Sequence, residues 1–178
     1  MLLLKTMKIS DITIRPATLE DAEGIAFVHV KGWQESYKNI IEQDYLDALS
    51  LKDKIALRQK ILRGLTHDHL NLIAVCNDQI VGFCDAGPCF DGNKDYPGEI
   101  YALYLLDDIK KCGLGSKLFS LARSHLLKKS LTPFKVWGLE KNAIARRFYE
   151  KNGGVPHTKK CTKIGNFDYT EVAYVFNI

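Results

Sequence analysis

Much that would stabilise a small or secreted protein is missing from this 178-residue chain. Its five cysteines, Cys76, Cys84, Cys89, Cys112 and Cys161, are odd in number and contain no C-x-x-C pair. That argues against a disulfide framework and a zinc site, and for a reducing, cytoplasmic compartment. No apolar run approaches the roughly 20 residues that cross a bilayer, so no membrane partner is expected. The opening MLLLKTMKIS holds three successive leucines, short of the roughly 7–15 apolar residues of a secretory signal. Met7 is as good a start as Met1, so residues 1–7 read as an N-terminal extension that need not be ordered. Residues 8–178 read as one domain. Repeats, low-complexity tracts and linkers are lacking. Charge of one sign is scarce too: 25 basic against 21 acidic residues leave +4, too little to demand nucleic acid. What is present is ordinary for a globular chain, 46% apolar and 26% charged, which excludes a disordered or fibrous protein. A chain of this length buries roughly 70% of its unfolded surface and needs no metal to fold.

The hydrophobic pattern gives the order of elements. Ile12 to Arg15 alternates as a short strand, stopped by Pro16, and Thr18 with Glu20 and Asp21 opens a helix. That helix runs to about Tyr37, with Ile25, His29, Trp33 and Tyr37 on one stripe at spacing four. Leu51 to Leu65 is a second helix. Asn71 to Val75 and Gln79 to Cys84 are strands joined by a turn at Asn77-Asp78. Phe90 to Gly98 is a loop rich in Gly, Asp, Asn and Pro. Glu99 to Leu106 is a buried-type strand, and Gly113 to Lys129 a helix. Pro133 to Leu139 is a strand, Asn142 to Asn152 a helix closed by two glycines, and 155–163 with 168–177 a final hairpin. The order β-αα-βββ-α-β-α-ββ is that of an α/β chain (an α+β mixed sheet) with helices on both faces.

Chemistry concentrates after the strand Glu99–Leu106. Gly113 and Gly115 stand where that strand feeds a helix, so backbone can approach a ligand closely and free N–H groups of the first turn can face an anion. A P-loop pattern is absent, and Leu118 stands where the third Rossmann glycine belongs, which disfavours nucleoside triphosphates and NAD. Taken alone, the glycines are equally read as a tight turn. Asn142 and Tyr149 lie seven apart, two turns, on one helix face; the plain alternatives are a cap for Asn142 and a core residue for Tyr149. Together, Lys110-x-x-Gly113-x-Gly115 and Asn142 with Ala145-Arg146-x-Phe148-Tyr149 and Gly153 resemble the two signatures of the GNAT superfamily of N-acetyltransferases. The resemblance extends over residues 12–177. It departs at Lys110, where Gln or Arg is usual, and at Gly154, where an aromatic is usual.

The resemblance implies a GNAT-like fold and acetyl-CoA as co-substrate. Backbone groups of Leu103, Tyr104 and Leu105 would pair with the pantetheine arm. The Lys110 segment, with the N–H groups of Lys111, Cys112, Gly113, Leu114, Gly115 and Ser116, would hold the pyrophosphate. Asn142 would bond the pantetheine, and Tyr149 would protonate the leaving thiolate. Thioester chemistry itself asks for an oxyanion donor, for which Leu105 N–H is the candidate, and for a base that keeps the amine neutral. Similar family members often carry a glutamate where Glu99 stands, so Glu99 is the candidate base; a solvated strand-end carboxylate is the alternative. Trp33 or Tyr37 is expected to border the acceptor pocket, with a plain core role for at least one residue of the His29–Trp33–Tyr37 stripe. Cys112 is expected to serve as scaffolding. His67 and His69 lack a third ligand in spacing, so no metal is expected.

The leading function is thus an acetyl-CoA-dependent N-acetyltransferase acting on a primary amine by direct attack in a ternary complex. The amine belongs to a polyamine-like small molecule or to a protein. A non-catalytic acyl-CoA-binding sensor is the alternative, and a homodimer stays open. Nucleic acid is not expected, because neither a helix-turn-helix nor a zinc motif nor a stacking pattern is present. The small net charge is also polarised: residues 110–163 carry 14 basic and 2 acidic residues, a local +12, against −8 elsewhere. The basic part coincides with the expected CoA half, and the acidic part favours a cationic acceptor.

Overall fold

The structure, a computed structural model, describes residues 11–177. The expected N-terminal extension at 1–7 lies outside the described residues. Seven strands form one sheet in the order β1-β2-β3-β4-β5-β7-β6. The strands are β1 (Ile12–Pro16), β2 (Leu70–Cys76), β3 (Gln79–Pro88), β4 (Gly98–Leu105), β5 (Phe134–Leu139), β6 (Val155–Ile164) and β7 (Phe167–Phe176). The helices are α1 (Ala22–Ser36), α2 (Gln43–Asp47), α3 (Leu51–Arg63), α4 (Leu114–Lys128) and α5 (Ala143–Lys151). The element order read from the sequence holds, with the short α2 added. At five residues, α2 is too brief to show a helical period.

Local chemistry accounts for the boundaries. Asp21 ends a 3₁₀ turn and ties the chain entering α1, its carboxylate accepting from the Thr18 backbone N–H at 2.7 Å and from Arg15 at 2.7 and 2.8 Å. The Ser50 hydroxyl accepts from Asp53 N–H and caps α3. Asn77 and Asp78 both adopt positive φ, 48° and 61°, as a two-residue hairpin turn with right-handed strand twist requires.

Alternation along the strands sorts their side chains into two layers. On one face α4 and α5 pack Leu118, Phe119, Leu126 and Tyr149 against Ile100, Phe134, Val136 and Tyr174. On the other, α1 and α3 cover Ile73, Phe83, Ala102 and Tyr104. A bulge opposite Asp85 and Ala86 shifts the parity within β4, so Ile100 joins the first layer and Ala102 the second.

The pairing of β4 with β5 positions the site. These parallel strands meet only at Gly98–Phe134, Glu99–Lys135 and Ile100–Val136, and beyond Ile100 they part. β4 stays paired to β3 as far as Leu105. Gly98 makes the closed end possible, because a Cβ there would stand 2.1 Å from the Leu131 carbonyl oxygen.

Candidate active site

The parting of β4 and β5 leaves one edge of Tyr101–Leu105 without a neighbouring strand. Leu106 N–H donates to Val81 O on the β3 side. Alternation therefore turns the backbone groups of Leu105 and Leu103 toward the gap and those of Tyr104 toward β3. An unpaired strand edge of this kind can accept an extended ligand arm as if it were a further strand.

The chain then passes through a 3₁₀ turn and enters α4 at Leu114. Gly113 precedes the helix at φ 89°, and no side chain caps it. The first N–H groups of α4 are thus left without acceptors among the described residues, at the positive end of the helix dipole. A cavity of about 210 Å³ lies against this terminus, lined by Ile12, Ile14, Cys112, Gly113, Leu114 and Lys117. Ser116, Lys111 and Lys117 are exposed around it. Lys110 is less free than the sequence suggests: Asp107 holds it in an ion pair and Glu35 lies 3.8 Å away. Cys112 donates its thiol hydrogen to Ile109 O at 2.8 Å, a structural link within the loop.

Asn142 caps α5, its Oδ1 accepting from Ala145 N–H at 3.1 Å. Its Nδ2 donates to no described residue. Two turns on, Tyr149 packs its ring over Gly138 of β5; a Cβ at 138 would stand 3.2 Å from that ring. The ring lies 5.4 Å from Tyr174 and 5.8 Å from Phe148, centroid to centroid. The Tyr149 hydroxyl has no hydrogen-bond partner among the described residues. Burial is the main cause that pushes its pKa up, with Tyr37 and Cys84 adding to it, so the group stays protonated through neutral pH. Tyr149 is therefore a packed core residue whose protonated hydroxyl donates to no described residue.

On the opposite face of the sheet, Tyr37 and Tyr104 share a hydrogen bond of 3.2 Å between their hydroxyls. Trp33 stands edge-on to Tyr37, with centroids 5.1 Å apart. Both predicted acceptor residues, Trp33 and Tyr37, join this cluster, which also packs on Ile41, Leu46 and Leu139. Glu99 is 8% exposed, so the reading of it as a solvated strand-end carboxylate does not hold. Its Oε2 accepts from Phe90 N–H and from the Cys89 thiol, each at 3.3 Å. Burial raises its pKa, and those two bonds partly oppose the rise. Lys135, beside Glu99 on β5, bonds Asp91 at 2.5 Å and so fastens the β3–β4 loop over the carboxylate.

A family profile described as "Acetyltransferase (GNAT) family" matches residues 32–154. The chain belongs to the GNAT acetyltransferase family. Its co-substrate is acetyl-CoA, and the uncapped start of α4 beside an unpaired β4 edge suits a pyrophosphate and an extended arm. Among GNAT relatives, an uncharacterized N-acetyltransferase of Bacillus subtilis is 33% identical over 135 residues, covering 74% of this chain and 73% of that one. A spermidine N(1)-acetyltransferase of Thermoplasma acidophilum is 24% identical over 147 residues, covering 80% and 87%. The fold is that of the PaiA N-acetyltransferase of Thermoplasma acidophilum, solved in complex with coenzyme A. The TM-score is 0.68 at 23% identity, over 90% of this chain and 97% of that one.

Several residues around the candidate site were not singled out from the sequence. Cys89, Asp91 and Lys135 surround Glu99 only because the loop folds back, which no local pattern encodes. Lys135 had a usable signal, since its strand register pairs it with Glu99. Arg58 and Asp85 form a buried ion pair across 27 residues. An arginine in mid-helix, inside the amphipathic pattern of α3, was its only trace. His69 bonds Thr66 and His125 bonds Asp68 O; no metal-binding group occurs among the described residues.

Proposed function

We propose that this GNAT acetyltransferase moves the acetyl group of acetyl-CoA to a primary amine by direct attack in a ternary complex. The observation that carries the reading is the β4–β5 gap, with an open strand edge on one side and the unpartnered Tyr149 hydroxyl on the other. Backbone groups of Leu103 and Leu105 hold the pantetheine arm. N–H groups from Lys111 to Ser116 hold the pyrophosphate, and Asn142 Nδ2 donates to the arm. Leu105 N–H lies on the open side, where it can stabilise the developing oxyanion. Tyr149 Oη gives its proton to the sulfur as the thiolate leaves.

The acceptor enters from the face covered by α1 and α3, bordered by Trp33 and Tyr37. Free alkyl amines titrate near 10, so the amine arrives as a cation. Glu99, alone or through a water, removes the proton that makes it nucleophilic. The spermidine N(1)-acetyltransferase among the relatives supports an amine as acceptor. No described helix is long and apolar enough to cross a membrane, and five free cysteines suit a cytoplasmic setting. Release of the CoA thiol, followed with acetyl-CoA and a panel of primary amines, tests the proposal. Amine-dependent release is expected. Tight acetyl-CoA binding with no release for any amine would make the chain an acyl-CoA sensor.

A further inference from the structure

Two cations and one anion meet on the acceptor side of the sheet, and their charges do not balance. Lys54 and Arg58 are four residues apart on α3, so the two like charges share one helix face. Arg58 is 2% exposed and lies 4.4 Å from the centroid of the Phe83 ring. It spends one donor, Nη1, on Asp85 Oδ2. Its Nε is buried with no partner, and its Nη2 bonds no described residue. Lys54 is half-buried and makes no ion pair with any described residue. Its Nζ stands 5.4 Å from the centroid of Trp33, one of the two residues placed at the acceptor pocket. The positive field is felt nearby: His29 is held neutral, its pKa lowered to about 3 by burial and then by Lys54 and Arg58. Residues 1–10 and 178 bring two lysines and no acidic side chain.

Burying an unpaired charge is unfavourable, and like charges on one helix face repel. An arrangement that keeps both cations with a single fixed counter-ion suits a second anion that comes and goes. The donors have complementary forms: a guanidinium edge with a free N–H group and an ammonium point charge, a pair suited to the two oxygens of a carboxylate.

We propose that Lys54 and Arg58 form a carboxylate subsite, so that the acceptor is an amine that also carries a carboxylate, amino-acid-like rather than polyamine-like. This rests on the acetyl-transfer reading above. The amine end meets Glu99 and the carboxylate end meets the α3 pair, so one molecule spans the acceptor side. Both halves of the charge pattern are then used: carboxylates receive the cationic amine, and the cations receive its acid group.

Matched acceptors test this. Lysine and cadaverine differ only in the carboxylate, as do 5-aminovalerate and pentylamine. With acetyl-CoA saturating, kcat/KM is expected to be at least about tenfold higher for the carboxylate-bearing member of each pair, as expected for a charge-assisted hydrogen bond. Lys54→Met should lower that ratio by about tenfold, chiefly through KM, and Lys54→Arg should restore most of it. A preference for cadaverine or spermidine, or a ratio that Lys54→Met leaves unmoved, would overturn the proposal. A binding readout separates it from the acetyl-transfer reading: 5-aminovalerate should raise the Tm of the wild type and not that of Lys54→Met. That shift without turnover of any amine would keep the subsite and discard acetyl transfer. Turnover without carboxylate preference or shift would do the reverse.

Discussion

Replacing Tyr149 by Phe should separate catalysis from packing. The ring is buried against Gly138, Tyr174 and Phe148, and Phe preserves all of those contacts. The hydroxyl bonds no described residue, so its loss breaks no hydrogen bond and leaves no partner unsatisfied. Stability should change by no more than about 1 kcal/mol, or roughly 3 °C in Tm for a chain of this size. Activity should respond very differently. General acid catalysis contributes about 10²–10⁴-fold. A thiol with a pKa near 8.5 leaves readily unaided, which puts the expected loss near the lower end, about 10²-fold in kcat, or about 3 kcal/mol in the barrier. Steady-state CoA-thiol release with saturating acetyl-CoA, alongside thermal unfolding, measures both effects. The KM for acetyl-CoA should stay within about twofold, because the ring that borders the gap remains. An unchanged kcat in a folded variant would mean that Tyr149 only fills space. A Tm loss well beyond 5 °C would mean that the hydroxyl supports the fold, against its unpartnered geometry.

Other outcomes follow from the same geometry. Glu99 acts as base only when ionised, and burial raises its pKa, so kcat/KM should climb with pH above the ordinary carboxylate range. Glu99→Gln should lower the rate and abolish that acid limb; an unchanged profile would assign the base elsewhere. Gly113→Ala places a side chain at φ 89°, a strain of about 1–2 kcal/mol. It should weaken acetyl-CoA binding measured by calorimetry more than it changes kcat. Asp21 is lowered to about 2 from 3.8, first by its bond from Arg15, with burial opposing and bonds from Thr18 adding to the lowering. The folded chain therefore binds fewer protons than the unfolded one, and this stabilisation is present above about 3.8 and lost as pH falls toward 2. Asp21→Asn should lower Tm at neutral pH, with the difference from wild type shrinking on acidification.

The layers of the fold were readable because strand alternation and helix spacing are local. Thr18, Asn77-Asp78 and Gly113 marked boundaries that the structure keeps within one or two residues. The proposed cofactor half was legible differently: Gly113 with Gly115, and Asn142 with Tyr149, sit in two short segments that resemble the GNAT signatures. The acceptor half was not. Its groups come from α1, α3, β4, β5 and the β3–β4 loop, and they meet through register and loop closure. Glu99 illustrates the difference. The sequence offered it as a base or as a solvated strand-end carboxylate, and only the fold excludes the second, because Asp91 and Lys135 draw the loop over it. Lys110 is the converse, a charge that the motif offered to a phosphate and that the fold gives partly to Asp107 and Glu35. The split of the sequence into basic and acidic parts likewise concealed Lys54 and Arg58 within the acidic part.

Backbone hydrogen exchange with and without acetyl-CoA tests the location of the site most directly. Slower exchange is expected at Leu103 and Leu105, whose N–H groups face the gap, and at Leu114, Gly115 and Ser116 in the first turn of α4. Tyr104, turned toward β3, should change less. Protection confined to α1 and α3, or absent from both the β4 edge and the start of α4, would contradict the assignment of the β4–β5 gap to acetyl-CoA.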